Sequence, residues 1–298
     1  AWLSDPWIWL GIGLALLLAE FVVSGYVLLS FSFGAFAMAL ALLVGAPTAG
    51  AAESPPVSRP AVLASFPHAQ DAFTQGLVFL GEQLLESTGQ RGASELRWVD
   101  LATGRVERAI ALPPRWFGEG LAIDGQHRFI QLTWQAGQAI VWSRHGRKLG
   151  QWTYDGEGWG LTYDGEHLIR SDGSARLHWH STTDFRPVHD LEVTDGDRPV
   201  RNLNELEWVN GYVLANVWQT RRVAVIEPAT GRVVEWLDLS ELDPHTTRRA
   251  ENTLNGIAWL DDSQRLFVTG KRWGRLYEIE PPQRLLRGGA TPAPQAAD

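Results

Sequence analysis

QGLVF (75–79), EGLAI (119–123), WGLTY (159–163), NELEW (204–208) and NGIAW (255–259) are five echoes of one short apolar segment. Their starts lie 44, 40, 45 and 51 residues apart, the spacing of four-stranded propeller blades and not of helical solenoid repeats. Each echo reads as the innermost strand of a blade. The residues that open them, Gln75, Glu119, Trp159, Asn204 and Asn255, then converge on one end of a central channel.

Working outward from each echo, a second strand ends in a polar turn and a third alternates apolar with polar positions, as in ELRWVDL (95–101) and GRLYEIE (274–280). A fourth, more polar strand closes four modules: RVERAIAL (105–112), KLGQWTY (148–154), PVHDLEV (187–193) and RVVEWLDL (232–239). The fifth module lacks one, because GRLYEIE runs into Pro281 and Pro282, while PAVLASFPH (60–68) is a spare strand ahead of the first module. Pairing the spare strand with the last module removes two exposed edges. The expected fold is therefore all-β, a five-bladed β-propeller over residues 61–283 closed by an N-terminal strand. DLSELDPHTTRRAEN (238–252), the insertion behind the 51-residue interval, reads as a short helix or a long loop at the rim.

The flanks are of another kind. The first 58 residues contain no Lys or Arg, and two apolar stretches, Trp7–Val23 and Tyr26–Val44, are separated by Ser24 and Gly25. Residues 1–45 are read as a hydrophobic helical segment, either a membrane hairpin or a signal or anchor. LLLAEFVVSGYVLLSFSFGAFA (16–37) resembles the NfeD-like membrane hairpin. Glu20, inside the first stretch, would have to face a partner helix or water. Residues 46–60 read as a small, Pro-rich linker and 284–298 as a disordered tail.

Composition narrows the function. With 26 Lys and Arg against 34 Asp and Glu, and no run of bases interleaved with aromatics, nucleic acid is not an expected partner. Cysteine is absent, which excludes disulfides, thiolate catalysis and cysteine-ligated zinc. The catalytic domain is expected to be monomeric, exported, and periplasmic or membrane-tethered, with the membrane reached through residues 7–45 if they are retained.

Around the opening residues gather Trp134, Trp218 and Lys271 from second-strand ends, and Phe73 and Phe117, two residues before Gln75 and Glu119 and thus on the same strand face. One carboxylate and one ammonium sit in a cup of aromatics ringed by amides. Burial raises such a carboxyl and the lysine opposes the rise, which leaves a usable general acid and base. Plainer readings stand beside this one. Gln75, Asn204 and especially Asn255 could tie strand ends together, and Trp159 and Trp218 could be packing residues. His178 and His180 share a face of a third strand, away from the channel, where a metal site is not expected. ESTG (86–89) reads as turn chemistry.

FPHAQDAFTQGL (66–77), ESTG, FGEGL (117–121), GEGWGLTYDG (156–165), NELEWVNG (204–211), ANVWQT (215–220), LNGIAW (254–259) and VTGKRW (268–273) together resemble the plant-type and bacterial glutaminyl-peptide cyclotransferase (glutamine cyclotransferase) family over residues 61–281. The resemblance implies a five-bladed propeller that converts N-terminal glutamine of peptides or proteins to pyroglutamate, with release of ammonia and no metal or other cofactor. It implies Glu119 as the catalytic glutamate, with Asn204, Lys271 and Gln75 beside it, and an aromatic wall of Phe73, Phe117, Trp134, Trp159 and Trp218. Asn255 joins the substrate-binding set as the fifth opening residue. Two alternatives stay open: a lactonase-type propeller hydrolase holding a divalent cation on Glu119, Asn204 and Asn255, and a non-enzymatic propeller that binds protein partners.

Overall fold

The computed structural model of the protein describes residues 6–20, 54–242 and 251–286. The chain divides into two units between Glu53 and Ser54. In the first, a single helix, Pro6–Glu20, is described; its first residue is a proline, whose missing N–H costs nothing there. Among the described residues no helix is long and apolar enough to cross a membrane. The second apolar stretch, Tyr26–Val44, lies outside the described residues, as do most of the 46–60 segment and residues 243–250 of the rim insertion.

The second unit is all-β and propeller-like. Four of its sheets have four strands each, and one more has seven. In chain order the innermost strands are Thr74–Leu80, Gly118–Ile123, Leu161–Tyr163, Leu203–Val209 and Leu254–Leu260. They pack on one another in that order, and the last returns to the first. Apolar cores fill the wedges between neighbouring sheets. Leu77, Leu84 and Val99, for instance, pack against Ala258, Leu260, Phe267 and Leu276, and Leu85, Leu96 and Trp98 against Leu121, Phe129 and Ile140.

Glycine explains how the inner strands come so close. A Cβ on Gly76 would collide with the backbone of Leu121, one on Gly120 with Gly160 and Leu161, and one on Gly160 with Asn204. The second letter of the echo is thus a packing requirement. The fourth echo breaks the rule with Glu205, which is fully buried. Its carboxyl oxygens accept from the backbone N–H groups of Leu77 (3.3 Å) and Ile257 (2.8 Å), on the first and last inner strands.

The last four-stranded sheet takes its outer strand from the start of the domain: Val62–Pro67 runs antiparallel to Arg275–Ile279. Phe66 from that strand meets Phe267, which also meets Phe79 at 5.1 Å between centroids. His68, just beyond it, is buried and contacts the carboxyl of Glu86 at 3.0 Å. Burial alone would lower the His68 imidazolium, but the Glu86 charge and hydrogen bond outweigh it and leave it raised.

Three readings of the sequence need correction. The sheets are not uniform four-strand modules, because the fourth in chain order carries three extra short strands: Val57–Ser58 and Thr194–Asp195, each parallel to Arg232–Asp238, and Arg198–Pro199 paired to the second of these. They cover an edge that would otherwise present unpaired backbone groups. The linker accordingly ends before Val57, since Pro56 already accepts the Trp236 N–H. The tail begins later than 284: Arg284 pairs with Glu235 at 2.7 Å and Leu285 is buried. Within the rim insertion, Ser240–Leu242 form a 3-10 turn.

Candidate active site

At the mouth of the ring the inner strands do not simply alternate. The register slips between Thr74 and Gly76, Gly118 and Leu121, Leu203 and Leu206, and Leu254 and Ile257. Each slip is a bulge at an opening residue, and a bulge re-aims a side chain that regular pleating would send elsewhere. A second repeat lies behind it: backbone bonds join Gly89 to Phe73, Trp134 to Phe117, Trp218 to Asn202 and Lys271 to Thr253. Lys271 therefore occupies the position that Trp134 and Trp218 hold in their own sheets. In the first sheet the equivalent residue is Gly89, where any Cβ would meet the Phe117 ring.

These positions enclose a cavity of about 250 Å³ lined by Phe73, Gln75, Phe117, Glu119, Trp134, Trp159, Asn204, Trp218 and Lys271, with Gln90 and Glu251 at its margin. Nine of the ten residues expected at the site are brought together. The tenth, Asn255, is not: its amide donates to the Thr74 carbonyl at 2.9 Å and to Gln75 Oε1 at 3.0 Å, so it braces Gln75 from behind. The Oδ1 of Asn255 is buried without a hydrogen-bond partner among the described residues. Among the described residues no group of three or more His, Asp or Glu is placed to hold a metal ion.

Glu119 is a buried carboxyl of the cavity lining. Its Oε1 accepts from the Gln75 amide at 2.7 Å, while its Oε2 is buried without a hydrogen-bond partner among the described residues. Burial pushes its carboxyl well above the usual range; Lys271 opposes the rise and Glu157 adds to it. Burial brings the Lys271 ammonium down to about 8, against the pull of Glu119 and Glu251. The Lys271 Nζ lies 5.0 Å from the centroid of Phe73, a cation over an aromatic face. Asn204 Oδ1 is likewise buried without a partner among the described residues.

The aromatic wall is built of edge-to-face pairs. Phe73 meets Phe117 at 6.0 Å, Phe117 meets Trp134 at 5.6 Å, and Trp159 meets Trp218 at 5.6 Å.

Comparison with known proteins gives the family. The glutamine cyclotransferase family profile matches residues 35–280. A glutaminyl-peptide cyclotransferase of Arabidopsis thaliana is 41% identical over 234 residues, covering 76% of this chain and 73% of the plant protein. The chain belongs to the glutamine cyclotransferase family. The crystal structure of the Myxococcus xanthus glutaminyl cyclase aligns with a TM-score of 0.72 at 39% identity, over 76% of this chain and 97% of that one. The family match begins earlier than the motifs do, at residue 35 instead of 61.

Three side chains of this cyclotransferase family member escaped the reading of its sequence. Gln90 and Glu251 sit in loops, where no periodicity reports direction. Glu157 stands behind the wall, accepting from the indoles of Trp134 and Trp159. Its only signal was a carboxylate two residues ahead of a channel tryptophan in GEGWG. A second cavity, of about 380 Å³, opens where the inner strands end, lined in part by Glu207, Trp208 and Trp259. Burial pushes the Glu207 carboxyl up to about 8, and it accepts from the Trp259 backbone N–H at 2.8 Å.

Proposed function

We propose that the protein cyclises the N-terminal glutamine of peptides or proteins, with Glu119 carrying the proton. One observation supports this above the others: a buried carboxyl with one oxygen fixed by Gln75 and the other without a partner among the described residues, inside an aromatic cavity that also holds an ammonium. The cavity, about 250 Å³, falls below the roughly 300–1,000 Å³ usual for drug-sized ligands. That size suits a single side chain.

In this reading the substrate's neutral α-amine attacks its own γ-carboxamide carbon, and the aromatic wall holds the chain in the folded rotamer that brings the two within reach. Glu119 takes a proton from the attacking nitrogen and hands it to the departing one. The C–N bond then breaks with ammonia, not an amide anion, as leaving group. Lys271 donates to the carboxamide oxygen as negative charge grows there. Gln75 is already engaged with Glu119 and serves to orient it, which leaves the Asn204 oxygen as acceptor for a substrate N–H. Phe73, Phe117, Trp134, Trp159 and Trp218 exclude water and so favour closure over hydrolysis.

Incubating the full chain with a short peptide that begins with glutamine, with and without a chelator, tests the reading. Ammonia should appear with a matching mass loss in the product, at equal rates in both arms. No ammonia, or ammonia only without chelator, would overturn it.

We read the enlarged fourth sheet as one blade of five. The N-terminal apolar segment is proposed to export or tether the domain. Fractionation of cells expressing the full chain, with the protein found only in the cytosol, would refute that assignment.

A further inference from the structure

We propose that Glu157 is a positioning residue that sets two walls of the substrate cavity by holding the indoles of Trp134 and Trp159 on one carboxylate oxygen. The inference rests on the cyclisation reading for its kinetic consequences, but its geometry stands apart from it. Glu157 Oε2 accepts from Trp134 Nε1 at 2.6 Å and from Trp159 Nε1 at 2.8 Å, and Oε1 accepts from the Gln135 amide at 3.0 Å. The two tryptophans come from different sheets, one following the strand Phe129–Thr133 and the other preceding Leu161–Tyr163. A single carboxylate thus pins the second sheet to the third at the cavity mouth.

The anchor is itself held. The Arg170 guanidinium donates to the Glu157 carbonyl, and the Gly158 N–H donates to the Trp134 carbonyl at 3.0 Å. An edge-to-face contact restrains an indole only loosely in direction, whereas a hydrogen bond from its N–H fixes where that edge points. Trp134 and Trp159 therefore have both restraints: an edge-to-face neighbour, Phe117 or Trp218, and a charge-assisted bond to Glu157. Such bonds are short and strong.

Burial would raise the Glu157 carboxyl, but its three side-chain donors outweigh this and keep it below the usual range, so it stays ionised. The groups that act electrically on Glu119 are then Lys271 from the last sheet and Glu157 ahead of the third. Glu157 works against Lys271 and holds Glu119 protonated to higher pH.

The test compares Glu157→Ala with Glu157→Gln in the full chain. Glutamine keeps an acceptor oxygen for the indoles but loses the charge; alanine loses both. In the alanine variant we expect kcat/KM on a glutamine-leading peptide to fall about tenfold to a hundredfold, mainly through KM. The glutamine variant should keep KM within about threefold while the acid limb of its pH profile moves to lower pH. The indole N–H resonances of Trp134 and Trp159, assigned with Trp134→Phe and Trp159→Phe, should move in the alanine variant and stay near their places in the glutamine variant. Unmoved indole signals in Glu157→Ala, or a loss of thermal stability with KM and pH profile unchanged, would overturn the proposal. The indole measurement needs no turnover, so it decides the matter even if the wild-type protein releases no ammonia.

Discussion

Glu119 at the mouth of the ring and Glu205 deeper along its axis open a direct contrast. Both are sealed from solvent, and burial pushes both well above the usual carboxylate range. They differ in what their oxygens meet. Both oxygens of Glu205 accept backbone N–H groups and join the first inner strand to the last. Glu119 has one oxygen held by Gln75, one without a partner among the described residues, and an ammonium within electrical reach. A perturbed carboxyl is thus no marker of catalysis by itself; the distinguishing sign is unused hydrogen-bonding capacity beside a cavity.

The contrast breaks most visibly if Glu119→Gln remains active. We expect a loss of about 10³-fold in kcat, within the span general acid and base catalysis supplies, with the melting temperature unchanged or higher. Ammonia release measured alongside circular dichroism separates the two. Glu205→Gln should do the reverse. Its amide nitrogen would face a backbone N–H, so denaturant unfolding should show a loss of about 2 kcal/mol or more, while kcat of the folded fraction is retained.

Titration sharpens the same comparison. Carboxyls raised in the native state keep protons that the unfolded chain has released, so stability falls as pH rises between the ordinary carboxylate range and the native value. Glu207, at about 8, should contribute about 1.4 kcal/mol per pH unit to that slope, and Glu207→Gln should remove that share while Glu119 and Glu205 keep theirs. Activity titrates elsewhere: kcat/KM should decline above the Lys271 value of about 8 as the ammonium is lost. The smallest effect belongs to Asn255→Ala, which frees Gln75 from behind. A loss of about fivefold in kcat/KM is expected, equivalent to one ordinary hydrogen bond.

The mouth was more legible in the sequence than the middle. Five echoes at blade spacing were enough to place the inner strands, and a two-residue spacing set Phe73 and Phe117 beside Gln75 and Glu119, although bulges interrupt the alternation there. Phe73, Gln75, Phe117 and Glu119 followed from those two facts. The direction of Asn255 did not, because a bulge decides whether an opening residue faces the cavity or its neighbour, and alternation carries no record of it. Glu205 was visible as the one echo without glycine, but nothing local showed that its carboxyl bridges strands some 50 and 130 residues away. The extra pairings of the seven-stranded sheet are two residues long, too short to leave any periodicity. Glu157 acts through two indoles, a relation that exists only once the second and third sheets stand side by side.

The pairing of Val62–Pro67 with Arg275–Ile279 has a consequence for biogenesis. A ribosome releases the earlier segment more than 200 residues before its partner, so the nascent domain must wait with two unsatisfied borders until translation has almost ended. Such long-range closure slows folding and leaves the waiting intermediate open to wrong pairings. The final step that latches the disc is therefore where a chaperone would have most to contribute.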